Sequence, residues 1–164
     1  MKEENVNIIK KFGEYSDWVT NLKNLKTAAW DTPISSGKWT VAEIISHITN
    51  WDNYLLDHII PSVKKGQGMV FPDFNSYNNK ASEYAKSGIT PLELIDEAIT
   101  ARESLVNTLL QIPEKDLCKP LTSNGVSHCP NTGEPYSLLY VINEFTQHDH
   151  HHINQITQYL SEIA

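Results

Sequence analysis

The histidines near the C-terminus are the residues of this sequence whose types and spacing could do chemistry. The run from His148 to His152 contains four histidines and Asp149, inside a segment with the pattern of an amphipathic helix. Residues four apart share one face of a helix, so His148 and His152 can present two imidazoles to one divalent ion. A histidine expression tag is the trivial alternative, but the interrupting aspartate and the helical pattern that continues to Ala164 argue against it.

Helical geometry divides this run into inward and outward histidines. The apolar residues of the segment point in one direction at about 100° per residue, which marks the buried face. These residues are Leu138, Ile142, Phe145, Ile156, Leu160 and Ile163. His152 points within about 40° of that direction and His148 within about 80°, whereas His150 and His151 point away. Asp149 also points inward, as a fourth ligand, a partner that orients a histidine, or a buried acceptor, and the last two roles are favoured.

A third ligand is expected from the second predicted helix, where His47 lies beside an apolar stripe. The stripe consists of Val41, Ile44, Ile48, Trp51 and Leu55. His58 lies about 16 Å further along the same helix at the usual rise per residue, too far to share an ion with His47. An inward histidine is also common as a hydrogen-bonded core residue, so the spacing alone leaves a metal site and a structural role both open.

Four amphipathic segments predict four main helices that position these side chains. They run from about Glu4 to Ala29, from Thr40 to about Ile60, from Thr90 to Pro113, and from Ser137 to the end of the sequence. Thr40 and Glu43 form a capping box at the start of the second helix, and Pro61 is expected to end that helix. The long connections are residues 61–90, with a short helix near Asn75 to Lys86, and residues 113–135. We expect these connections to shape the mouth of a pocket.

The composition predicts one globular domain, residues 1–164, with a negatively charged surface. The formal net charge is −7, with 13 Lys and Arg against 20 Asp and Glu, so no basic stripe is available to neutralise phosphates. Nucleic acid and anionic membranes are therefore not expected partners. No stretch approaches the roughly twenty apolar residues of a membrane span, and the first residues lack the apolar core of a signal peptide. We therefore expect a cytoplasmic protein.

The two cysteines, Cys118 and Cys129, are interpreted as free structural thiols. Ten residues separate them, which is unlike the tight spacing of zinc ribbons or fingers. Cys129 follows His128, and a nucleophilic role for this pair is an alternative that lacks an identifiable third partner.

Two segments carry a resemblance to a known family. The first runs from Gly37 to Ile48 (GKWTVAEIISHI), with Trp51-Asp52 after it, and the second is His148-x-x-x-His152-x-x-Gln155-Ile156. In order, separation and chain length they resemble the DinB/YfiT-like superfamily over essentially the whole chain. The resemblance implies an all-α protein, a four-helix bundle with long crossover connections, in which His47, His148 and His152 hold a divalent metal at one end.

The resemblance also implies a chemistry. Relatives commonly hold nickel or zinc, form homodimers, and include thiol-dependent transferases and isomerases that use bacillithiol or mycothiol, beside hydrolase-like proteins. Three protein ligands leave coordination positions open, as in catalytic sites, so that the ion can activate a bound water or a thiol. The favoured function is therefore a metal-dependent enzyme acting on a small molecule, with thiol transfer favoured over hydrolysis by analogy only.

No catalytic side chain can be named, because no general base or nucleophile is identifiable beyond metal-bound water or thiol. A metal-binding or ligand-binding module without turnover, such as a dimeric sequestration protein, is therefore the alternative. Gln155 resembles a glutamine that follows the last histidine in relatives, and is expected either to support that histidine by a hydrogen bond or to make a helix-packing contact. The aromatic residues that could line a pocket, or belong to the core, are Trp39, Trp51, Tyr54 and Tyr140.

Overall fold

The structure is a computed structural model that describes residues 1–164. It contains nine α-helices, together with a 3₁₀ turn at Asn21–Asn24 and a π-helical turn at Leu55–Ile59, and its β-structure is limited to isolated bridges. The helices are α1 (Glu3–Gly13), α2 (Tyr15–Thr20), α3 (Thr27–Asp31), α4 (Val41–Tyr54), α5 (Ile60–Lys64), α6 (Phe74–Ala85), α7 (Pro91–Gln111), α8 (Glu114–Leu117) and α9 (Leu138–Ile163). None of them combines the length and the apolar character needed to cross a membrane.

The long helices form a four-helix bundle, which confirms the predicted fold class. Its four members are α1 with α2, α4 with α5, α7, and α9; α1 packs on α7 and α9, and α4 packs on α7. The helix α6, expected near Asn75 to Lys86, lies in the crossover between α5 and α7 and packs along α4. Because α4 carries His47, residues of α6 reach the surroundings of that histidine.

Local hydrogen bonds fix where the helices that carry the histidines begin. Thr40 Oγ1 accepts a hydrogen bond from the backbone N–H of Glu43 (3.1 Å), and Glu43 Oε2 accepts one from the N–H of Thr40 (2.9 Å). This is the predicted capping box, and it places His47 one helical turn after Glu43. Ser137 Oγ caps α9 by accepting a hydrogen bond from the N–H of Tyr140 (3.1 Å). Both helices thus start at residues set by contacts that are local in sequence.

The prediction of one helix from Glu4 to Ala29 is wrong. The chain forms α1, α2 and the 3₁₀ turn, and then becomes extended at Leu25 and Lys26, where ψ is 142° and 145°. This break turns the chain so that α3 packs on α4, where Trp30 is 1% exposed. The apolar spacing indicates a helical period but carries no signal for the reversal, which burial of the large Trp30 side chain favours.

Pro61 does not end the second helix, in contrast to the prediction. After α4 the backbone widens into the π-helical turn, and α5 then continues to Lys64 with Pro61 in its first turn. The N–H of Ile60 donates to the Leu55 carbonyl oxygen five residues back, so Pro61, which has no N–H to donate, follows directly on this widened stretch. The π-helical turn thus accommodates a residue that would otherwise stop the helix.

The core of the bundle consists of two apolar clusters with polar residues between them. One cluster centres on α1, α5 and the first half of α9, and the other on α2, α3 and the first halves of α4 and α7. On α7, Ala98 belongs to one cluster and Leu105 to the other, and Arg102 lies between them. Arg102 is 0% exposed and meets Asp52 of α4 and Asp149 of α9, which are 1% and 3% exposed. These three charged residues are called the polar layer.

Candidate metal centre

Three imidazoles from two helices converge at one point. His47 projects from α4, and His148 and His152 project from α9 one turn apart. His148 Nε2 lies 3.1 Å from His47 Nε2 and 3.1 Å from His152 Nε2. One nitrogen of each ring lies within 4.8 Å of the other two, so this group, called the three-histidine cluster, could hold a metal ion.

The separations fit ligands of one ion better than hydrogen bonds between rings. With metal–nitrogen bonds of about 2.0–2.1 Å, neighbouring ligand nitrogens stand about 2.9–3.4 Å apart. Gln155 Oε1 accepts a hydrogen bond from His152 Nδ1, so a neutral His152 ring has no proton on Nε2. His148 Nε2 carries one proton or one lone pair, which makes a single well-aligned hydrogen bond. Hydrogen bonding therefore accounts for one of its two 3.1 Å contacts, whereas a shared cation accounts for both.

The surroundings keep two of the rings neutral, which is the form that binds a metal. Burial lowers the pKa of His47 to about 3, and the neighbouring His148 and His152 act in the same direction. Burial also lowers the pKa of His152 to about 4, again with a further contribution from His148. Because a neutral ring keeps one nitrogen free of a proton, each of these rings offers a lone pair for coordination at neutral pH.

The Nδ1 atoms of the three histidines, which point away from the centre of the cluster, differ in their hydrogen-bond partners. His152 Nδ1 lies 2.9 Å from Gln155 Oε1, which is the hydrogen bond considered for Gln155. The Nδ1 atoms of His47 and His148 are buried without a partner. The Asn78 side chain raises the pKa of His47, but burial and the other two imidazoles lower it by more. Asn78 is not aligned to form a hydrogen bond with His47 Nδ1. Metal-bound histidines usually donate through the second nitrogen, so Gln155 orients His152 more firmly than any contact orients the other two rings.

Asp149 takes part in the polar layer rather than in the three-histidine cluster. Its Oδ1 lies 3.9 Å from His148 Nδ1, too far for a hydrogen bond, and its Oδ2 lies 2.8 Å from Arg102 Nη1. The short contact with Arg102 is an ion pair in which the N–H direction is not aligned on Oδ2. These distances place Asp149 neither as a ligand within the cluster nor as a hydrogen-bond partner of His148, and its carboxylate forms a buried ion pair instead.

Sequence analysis missed Arg102, the centre of the polar layer. Its Nε and Nη2 donate to Asp52 Oδ2 and Oδ1 at 2.8 and 3.0 Å, and its Nη1 donates to the Phe12 carbonyl oxygen at 2.7 Å. The guanidinium carbon also lies 3.8 Å from the centre of the Phe12 ring. A signal was available, because Arg102 is the only arginine among 13 basic residues and lies on the apolar face of α7. A cation on a buried stripe predicts a buried acid partner.

A cavity of about 260 Å³ opens beside the cluster. It is lined by His47, Trp51, Phe74, Asn78, Glu144, Phe145 and His148. Of the four aromatic residues considered for a pocket, Trp51 lines this cavity, whereas Tyr54 and Tyr140 lie outside the lining. Trp39 packs on His47 instead, with the ring centres 4.9 Å apart.

Three lining residues were missed by the sequence analysis. Phe74 and Asn78 come from α6, and no local pattern predicts how α6 docks on α4. Glu144 lies on α9 four residues before His148, which is the spacing that joins His148 to His152. The same helical geometry could therefore have identified Glu144 as a neighbour of the cluster.

The remaining histidines of the helices lie apart from the cluster. His150 and His151 are exposed, as predicted. His58 is exposed on the π-helical turn, where its ring lies 4.6 Å from that of Tyr54. None of these three belongs to the group that could hold a metal ion.

Both cysteines are free, as predicted. His128 Nδ1 contacts the hydroxyl of Ser127 at 2.8 Å, and the Cys129 thiol faces Glu144 Oε1 at 3.7 Å. Cys129 and His128 therefore do not form the nucleophilic pair considered from the sequence.

An all-α bundle with three converging histidines beside a cavity defines a class of helical proteins suited to holding a metal. This chain belongs to the DinB superfamily, whose family model matches residues 14–156. The matched region includes His47, His148 and His152. The resemblance inferred from the two histidine-bearing segments is thereby confirmed.

The fold is similar to that of a solved structure, YfiT from Bacillus subtilis. The TM-score is 0.75, the match covers 99% of this chain and 89% of that chain, and the sequence identity is 18%. YfiT is described as a probable metal-dependent hydrolase with an unusual four-helix bundle topology. At this identity the likeness shows the fold. No curated protein matches the sequence.

Proposed function

We propose that this protein is a metal-dependent enzyme that acts on a small molecule, with His47, His148 and His152 as the metal ligands. The observation that carries the proposal is the convergence of three ring nitrogens beside a cavity that His47 and His148 themselves line. Three protein ligands leave positions for a substrate, as in catalytic sites. The cavity volume of about 260 Å³ suits a ligand smaller than the drug-sized compounds that fill about 300–1,000 Å³.

The residues around the site would hold the metal ion, orient one of its ligands and shield the cavity from water. A divalent ion held there supplies Lewis-acid activation of a coordinating water or thiol and of a polar group of the substrate. Gln155 keeps the proton of His152 on Nδ1, which leaves Nε2 free as a ligand atom. Trp51, Phe74 and Phe145 form an apolar side of the cavity and limit the access of water to it.

Hydrolysis is the reaction with most support, because YfiT, which has a similar fold, is described as a probable metal-dependent hydrolase. Transfer from a low-molecular-weight thiol such as bacillithiol, which the family resemblance favours, stays a prediction. Nickel or zinc as the ion is also a prediction, and three imidazoles suit either metal. The expected homodimer is likewise a prediction.

Elemental analysis of protein purified without a histidine tag tests the metal ligands. We expect about one transition-metal ion per chain, since the three ligand atoms surround one point. The triple variant His47→Ala, His148→Ala, His152→Ala should lose this ion. The control, His150→Ala with His151→Ala, removes two exposed imidazoles from the same helix and should keep it. Stoichiometric metal in the triple variant would contradict the assignment.

Turnover separates an enzyme from a module that only binds. Metal-loaded protein is assayed with a panel of hydrolysable esters and amides, and with a small thiol together with an electrophile. We expect turnover of one of these classes, abolished by His152→Ala while the far-UV circular dichroism stays unchanged. Metal binding without turnover across the panel would instead favour a sequestration or ligand-binding module.

A further inference from the structure

The aromatic side of the cavity has a geometry suited to a cation. The ring of Phe74 stands at 78° to that of Trp51, with the centres 5.5 Å apart. The ring of Phe145 lies 6.0 Å from that of Trp51 at an angle of 52°. All three rings line the cavity, and in an edge-to-face pair the ring that turns its edge to its neighbour keeps its own faces free of that neighbour. Ring faces carry the negative part of the aromatic quadrupole and attract ammonium ions.

Glu144 is the one acidic side chain in the lining, which contains no lysine or arginine. Glu144 forms no ion pair, and its Oε1 meets the Cys129 thiol at 3.7 Å. Its carboxylate is not part of the three-histidine cluster, so it is not placed as a ligand of the same ion. Burial raises the pKa of Glu144, against the opposing effect of the thiol contact. No cationic side chain therefore pairs with this carboxylate.

We propose that the cavity binds the ammonium group of its substrate, with Glu144 as the counter-ion and Trp51, Phe74 and Phe145 as aromatic walls. The inference rests on the proposed function, because it names the substrate class of the same site. An organic ammonium ion satisfies both features at once, since the carboxylate gains a cation and the rings gain a charge at their faces. A neutral ligand would leave the Glu144 carboxylate without an ion-pair partner.

The position of Glu144 also orients the substrate. Glu144 lies on α9 one turn before His148, so the charged end of the ligand is held about 5 Å along the helix from that histidine. The part of the substrate that faces His47 and His148 then lies a few bonds from the nitrogen. The net charge of −7 favours the approach of cations from solution. The expected substrate is a small amine or quaternary ammonium compound with a polar group a few bonds from its nitrogen.

Binding of choline tests the proposal on the metal-loaded protein, in comparison with the uncharged isostere in which carbon replaces the nitrogen. The readout is the NMR shift of the Trp51 indole N–H, which donates to Asn78 Oδ1 at 3.0 Å within the lining. We expect choline to bind about tenfold more tightly than the isostere, because only the cation gains from the rings and the carboxylate.

Three variants test which residues cause the preference for choline over the uncharged isostere. Glu144→Gln preserves the size of the side chain and removes its charge, and should abolish the preference for choline. Glu162→Gln makes the same charge change at an exposed position of α9 and should keep it. Phe74→Leu keeps an apolar wall without the ring, and should weaken choline binding severalfold while leaving binding of the isostere unchanged.

Equal affinity for choline and the isostere would overturn the proposal, and so would a preference that survives Glu144→Gln. If Glu144→Gln does not fold, the comparison of the two ligands on the unmodified protein and on Phe74→Leu decides the question. The metal content is measured in the same samples. Absence of metal would contradict the three-histidine site, whereas metal-loaded protein without a cation preference would contradict the ammonium site alone.

Discussion

His47 and His152 lie in surroundings that oppose their protonation, with pKa values lowered to about 3 and about 4 mainly by burial. In the unfolded chain both titrate near the ordinary value of about 6.5. Between about pH 6.5 and 4 the unfolded chain therefore binds more protons than the folded chain, and the stability falls as the pH falls. Asp52 acts in the opposite direction, because burial raises its pKa to about 6 in spite of Arg102.

We predict that the metal-free protein loses stability between about pH 7 and pH 4, and that the double variant His47→Gln, His152→Gln loses less. Both proteins keep Asp52, so the difference between them reports the histidines alone. Urea-unfolding midpoints, measured across this pH range in the presence of a chelator, give the comparison. The same pH dependence in both proteins would contradict the lowered pKa values of the two histidines.

Among the elements, α4 and α6 are joined by a carboxylate that also caps a helix. Glu43, 5% exposed, belongs to the capping box of α4, and its Oε1 accepts a hydrogen bond from Ser82 (2.5 Å) and pairs with Lys86 Nζ (2.9 Å) at the end of α6. Glu93 has the same role in the capping box of α7 with Thr90, but it is exposed and bonds within its own box. The chain therefore contains one capping box that also joins two helices and one that does not.

We predict that Glu43→Ala lowers the free energy of unfolding by about 2–3 kcal/mol and Glu93→Ala by about 1 kcal/mol. Both variants lose a capping contact, but Glu43→Ala also removes the partner of Ser82 and Lys86. Urea denaturation followed by circular dichroism measures both losses. Equal losses would show that the contacts of Glu43 with α6 add nothing to its role as a cap.

The sequence predicts those elements whose signals lie within a few residues of each other. The caps and periodicity of α4, α7 and α9 are of this kind, and so is the shared face of His148 and His152. The break at Leu25 and the π-helical turn depend on how Trp30 and Pro61 fit the assembled bundle, so apolar spacing alone could not reveal them. The cavity wall contributed by α6 depends in the same way on helix docking.

For the molecule as a whole, the polar layer joins helices that otherwise touch little. The helix α4 packs mainly on α6 and α7 and makes few contacts with α9. Arg102 of α7 binds Asp52 of α4 and Asp149 of α9, so it links the two helices that carry the histidines. No local pattern could predict this link, because Asp52 and Arg102 are 50 residues apart in the sequence.

We predict that Arg102→Met lowers the free energy of unfolding by about 3–5 kcal/mol, because it leaves two buried carboxylates without a cation. Lys23→Met is the matched control, since Lys23 pairs with Asp96 at the surface, where the side chains are 40% and 68% exposed. Its effect should stay below about 1 kcal/mol. Urea-unfolding midpoints and slopes of both variants provide the measurement. A loss at Arg102 as small as that at Lys23 would argue against the polar layer as a link between the helices.

The polar layer also determines which turn of α9 faces His47. His148 and His152 are one turn apart, so sliding α9 by one turn would bring His152 to the place of His148 and still leave an imidazole beside His47. The same slip would replace Asp149 by Ile153 opposite Arg102, and a slip in the other direction would place Phe145 there. A buried charge facing an apolar side chain is strongly disfavoured. The histidine spacing alone is compatible with more than one alignment of the helices, and the single arginine selects the alignment in which all three imidazoles meet.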